Sequence, residues 1–131
     1  MLTAATLRSI AQARLEDATV LLNNGRLDGA GYICGYAVEL ALKARICDTL
    51  SWAGFPENRK EFENLQSFRT HNLDVLLTLS GREQMIKQAY FADWSIVCVW
   101  NPEARYHTIG QVSPAEAQAF LASTATLLPL I

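Results

Sequence analysis

Apolar residues recur at helical spacing along most of this chain, and short polar or glycine-bearing stretches separate the periodic segments. The first segment, Leu7, Ile10, Ala11, Arg14, Ala18, Leu21 and Leu22, predicts a helix from Thr3 to about Asn23, with Thr3 or Thr6 as its cap. Asn23, Asn24 and Gly25 end it, and Asp28 stands where it would cap the next helix. That second helix, through about Asp48, is apolar on nearly all sides. Ile33, Ala37, Leu40 and Ala44 share one face, and Val38, Ala41, Leu42 and Ile46 cover most of the rest. Such a helix belongs at the centre of a bundle.

The pattern fades from Ser51 to Gln66, which predicts a loop that is either mobile and functional or a connector packed through Trp52, Phe55 and Phe62. Asn72 caps a short third helix to about Leu79, and Ser80 and Gly81 stop it. A fourth helix is expected from about Arg82 to Trp100, with Met85, Ala89, Ala92, Ile96 and Val99 inward, although its WSIVCVW end also has strand-like composition. Asn101 and Pro102 break it, and a polar loop follows from Glu103 to Val112. Ser113, Pro114 and Glu116 form the start signature of a last helix to about Leu128. The expectation is one all-α domain over residues 1–131: an up-and-down bundle of four to five helices with a long central second helix.

One polar stripe interrupts the central helix. Tyr32, Tyr36, Glu39 and Lys43 fall within roughly 60° of one another, and Glu39 and Lys43 are spaced for an ion pair. The stripe is either a satisfied seam between helices or part of a site. Outside it, the residues able to carry chemistry are His71, Arg105, Tyr106 and His107. A neutral histidine serves as acid or base near neutrality, and an arginine grips a phosphate with two hydrogen bonds. The plain alternatives are that Arg105 pairs with a carboxylate and that His71 packs beside the third helix.

Composition narrows the classes. The chain of 131 residues is 50% hydrophobic and 18% charged, which suits a packed globule. No apolar run is long enough to span a bilayer, and the N-terminal segment lacks the apolar block of a signal peptide, so no membrane association and a cytoplasmic location are expected. The net charge of −2 argues against general duplex DNA binding. Anion binding would then need locally gathered cations. Lys43 and Arg105 are the expected pair, with Glu39 orienting Lys43 and Tyr36 or Tyr106 stacking on a base. Cys34, Cys47 and Cys98 form no C-x-x-C pair and are expected to be buried free thiols. With two separated histidines they offer too few ligands for zinc, and no metal or cofactor is expected.

Three stretches also resemble the HEPN domain family of small helical proteins. They are Ala13, Asp17, Ala18, Leu21 and Leu22 with GAGYICGYAVELALKA; THNLDVLL from Thr70 to Leu77; and WNPEARY from Trp100 to Tyr106. The second-helix block is the most specific. The resemblance implies a helical bundle that commonly forms homodimers and works beside a minimal nucleotidyltransferase, in a toxin–antitoxin-like pair that meets a nucleotide or RNA. Surplus apolar and small residues, at Tyr32, Gly35 and Tyr36 and from Ile96 to Trp100, point the same way for a homodimer. In the ribonuclease-type members an arginine is followed after four to six residues by a histidine. Here the positions before His71 are Asn64, Leu65 and Gln66, and those before His107 are Trp100, Asn101 and Pro102, so that spacing is absent. A regulatory module is therefore expected ahead of a ribonuclease using Arg105 with His107 or His71, and ahead of a helical interaction protein with no nucleotide site.

Overall fold

A computed structural model describes residues 1–131, and it is all-helical. Helix α1 (Ala4–Asn23) and helix α2 (Leu27–Leu50) form an antiparallel pair with the most extensive packing in the molecule. Thr3 caps α1, its hydroxyl accepting from the Thr6 N–H at 3.1 Å. Gly25, at φ +71°, supplies the left-handed turn between the two helices.

Helix α2 is central, as its pattern predicts. Ala30, Cys34, Ala37, Val38, Ala41, Leu42, Ala44, Ile46 and Cys47 are all buried. Around it pack α1, α3 (Leu73–Ser80) and α6 (Pro114–Leu127). Asn72 caps α3 by accepting from the Val75 N–H, and Ser113 caps α6 by accepting from the Glu116 N–H, each at 3.1 Å. No helix is long and apolar enough to cross a membrane.

Local expectations change at Asp28 and along the expected fourth helix. Asp28 does not cap α2: the helix starts at Leu27, Arg26 is its cap residue, and no side chain caps it. The Asp28 carboxylate instead accepts from the backbone N–H groups of Gly110 at 2.7 Å and Val112 at 3.2 Å. It thereby ties the loop before α6 to the start of α2.

The expected fourth helix is two helices, α4 (Glu83–Ala89) and α5 (Phe91–Val97), bent at Tyr90, whose φ of −132° and ψ of 33° leave the helical range. The inward residues are Ile86, Trp94 and Val97, whereas Ala89, Ala92, Ile96 and Val99 are exposed and Met85 only leans on the core. Trp94 explains the register. It buries more apolar surface than any expected member, and its indole N–H donates to Asp74 Oδ1 at 2.9 Å. The strand-like end forms no strand.

The long connector after α2 is packed. Trp52, Phe55, Phe62 and Phe68 make a chain of ring contacts with centroid separations of 4.8–6.1 Å. Phe55 exchanges backbone hydrogen bonds with Leu2, at 3.0 and 2.7 Å.

Candidate functional site

The polar stripe of α2 runs between two hollows. At its N-terminal end Tyr32 and Tyr36 meet edge to face, 5.2 Å apart, and the Tyr32 hydroxyl donates to the Tyr36 hydroxyl at 3.3 Å. Trp100 closes over them. Its ring lies 4.9 Å from that of Tyr36, and its N–H donates to the Tyr32 carbonyl at 3.1 Å. Gly35 makes this possible, because a Cβ there would sit 2.1 Å from the indole. The space left at Gly35 is filled by the chain's own tryptophan. The hydrogen bond with Tyr32 and partial burial push the Tyr36 hydroxyl up to about 12, so it is protonated at neutrality.

Arg105 stands beside this aromatic group, in a 3-10 turn over Pro102–Tyr106. Its guanidinium donates to the Pro102 carbonyl at 3.0 Å and lies 4.6 Å from the centre of the Tyr106 ring. Tyr106, and after it Tyr32, hold this guanidinium above its ordinary range. Arg105 and His107 line a hollow of about 510 Å³ together with Asp28, Tyr32, Asn101 and Trp100. Tyr106 is exposed beside it.

At the C-terminal end of the stripe the carboxylate of Glu39 is buried, its side chain only 4% exposed. It binds two groups, Lys43 Nζ at 3.3 Å through one oxygen and His71 Nδ1 at 2.6 Å through the other. A carboxylate accepts hydrogen bonds, so Nδ1 carries the proton and Nε2 is the nitrogen left for a ligand. His71 remains 58% exposed, whereas Lys43 is only 16% exposed and its ammonium stands 5.3 Å from the Phe55 ring centre. Lys43 and His71 line a second hollow of about 560 Å³ with Leu40, Phe55, Phe62 and Arg69.

The structure thus brings Glu39, Lys43 and His71 together, and separately Arg105, Tyr106 and His107. It sets Lys43 and Arg105 in different hollows, with Tyr36 between them. Arg69 escaped the sequence reading although a signal was present: both histidines follow an arginine by two residues, as Arg69-Thr70-His71 and Arg105-Tyr106-His107.

Comparison with known families bears on the two helices that carry the stripe. Residues 4–50 match the HEPN domain family. The match begins at the first residue of α1 and ends at the last of α2, and it supports the HEPN resemblance and, with it, a general association with nucleotide or RNA chemistry. The THNLDVLL and WNPEARY stretches lie outside the matched residues. Comparisons with curated proteins and with solved structures gave no match.

Proposed function

We propose that this chain is a HEPN-type regulatory module that meets a nucleotide or RNA and forms one half of a toxin–antitoxin-like pair with a minimal nucleotidyltransferase. The observation that carries this reading is the polar stripe of α2, which lies within the matched HEPN residues and is flanked by two hollows, one lined by Arg105 and His107 with Asp28 and Glu116, the other by Lys43, Arg69 and His71 with Glu57. A homodimer is part of the proposal. Phe91, Ile96 and Val99 on and beside α5 are exposed, Val99 by 76%, and burying them would favour self-association. Co-expression with a nucleotidyltransferase encoded beside this chain tests the pairing. A stable complex after two chromatographic steps supports it, and separate elution of the two chains contradicts it. Sedimentation at a monomer mass at tens of micromolar removes the homodimer.

A ribonuclease is the second reading, and one observation favours it: Arg105 and His107 line the same hollow, despite the missing family spacing. RNA degradation by the wild type that vanishes in Arg105→Ala would establish it. Degradation that persists in that variant marks a contaminating nuclease.

A further inference from the structure

The hollow at the C-terminal end of the stripe holds the second Arg-x-His run and is independent of Arg105. Its charges are arranged unevenly. Lys43 is neutralised by Glu39 at 3.3 Å. Glu57, the carboxylate on its wall, is held by the Met1 ammonium at 2.6 Å. Arg69 lies over the Phe62 ring, 5.8 Å from its centre, and pairs with no carboxylate. The wall therefore offers one uncompensated guanidinium, one partly buried ammonium, and an exposed imidazole held at Nδ1.

We infer that this hollow binds the phosphate group of a nucleotide, with Arg69 as the principal cation, Lys43 as the second, and Glu39 as the positioning residue that fixes the ring of His71. The inference deepens the nucleotide-associated reading given above. Three features fit an anion of this size. Arginine presents a planar fork that matches two phosphate oxygens. The Lys43 ammonium is partly withdrawn from water beside Phe55, which strengthens its attraction for a second charge. The Glu39 carboxylate accepts from His71 Nδ1 and so fixes the orientation of the imidazole at the rim of the hollow. The apolar floor of Leu40, Phe55 and Phe62 keeps water from one side of the site.

Only two histidines occur in the chain, so their ring resonances can be followed individually by NMR. Titration with 5′-AMP should shift the His71 ring signals saturably and leave those of His107 in place, while adenosine should shift neither. Arg69→Ala, an exposed position, should weaken the AMP response by at least about tenfold with an unchanged circular dichroism spectrum, and Arg69→Lys should recover part of it. An absent or unsaturable shift at His71, an equal shift with adenosine, or unchanged affinity in Arg69→Ala would overturn the assignment. The nucleotidyltransferase pairing is measured separately, so either result can fail while the other stands.

Discussion

Glu39 and His71 are 32 residues apart and meet at 2.6 Å, the carboxylate buried in the central helix and the imidazole exposed just before α3. This contact, with the Lys43 ion pair on the other carboxylate oxygen, makes Glu39 a junction between α2 and the connector. Removing it strands a lysine that is largely shielded from water. Glu39→Ala should cost about 2–4 kcal/mol of stability. Glu39→Gln keeps the shape and one acceptor and should cost less. Urea unfolding of the two variants checks the order, and equal midpoints for wild type and Glu39→Ala would show that the junction contributes nothing.

Gly35 and Trp100 form a lock of a different kind. A methyl group at position 35 would overlap the indole, so Gly35→Ala should displace Trp100, break its bond to the Tyr32 carbonyl, and destabilise the fold by about 1–3 kcal/mol despite the better helix propensity of alanine. In a double-mutant cycle with Trp100→Ala the two losses should fall well short of additive. Additive losses would place the cost elsewhere.

Asp28 gives a pH dependence whose sign follows from its partners. The Gly110 N–H, then the Val112 N–H, lower its carboxyl below the ordinary range in the folded state. A depressed folded value means stability that is present above the unfolded value, about 3.9, and lost as pH falls through the folded one. The stability advantage of wild type over Asp28→Asn should be constant near neutrality and shrink below about pH 4. Acid titration of both proteins by circular dichroism measures it, and a gap that widens on acidification would reverse the assignment.

Burial pushes the Cys34 thiol up to about 11, and burial also raises Cys47 and Cys98. A thiol reacts as its thiolate. In the folded protein Cys34 and Cys47 should resist alkylation at neutral pH, with Cys98, the least buried, modified first. Mass spectrometry of a timed iodoacetamide reaction reads the order. Early labelling of Cys34 would contradict the packing of α2.

The bundle was legible wherever a segment's own residues decide its structure. Thr3, Asn72 and Ser113 announced three helix starts, and the all-round apolar character of α2 announced its central place. The register of α5 was hidden, because Ile96 and Val99 satisfy helical periodicity as well as Val97 does, and only the partner of the Trp94 N–H, Asp74, chooses between them. Asp28 was misread because a carboxylate at a helix start caps locally unless a loop more than 80 residues away supplies its donors, at Gly110 and Val112. The candidate site was legible as two halves. The Glu39–Lys43 pair follows from four-residue spacing, but His71 joins Glu39, and Arg105 joins the hollow beside Tyr32, through folding of the connector and the turn after α5, which no periodicity encodes.

The proposed function requires the chain to meet nucleotide or RNA through the hollows flanking α2. Fluorescence anisotropy with a labelled single-stranded RNA tests it most directly, comparing wild type with the Arg69→Ala, Arg105→Ala double variant. The expected result is saturable binding by the wild type that weakens as salt is raised, and loss of that binding in a variant with an unchanged helical spectrum. Binding that is absent in the wild type, or equal in the two proteins, would contradict the claim.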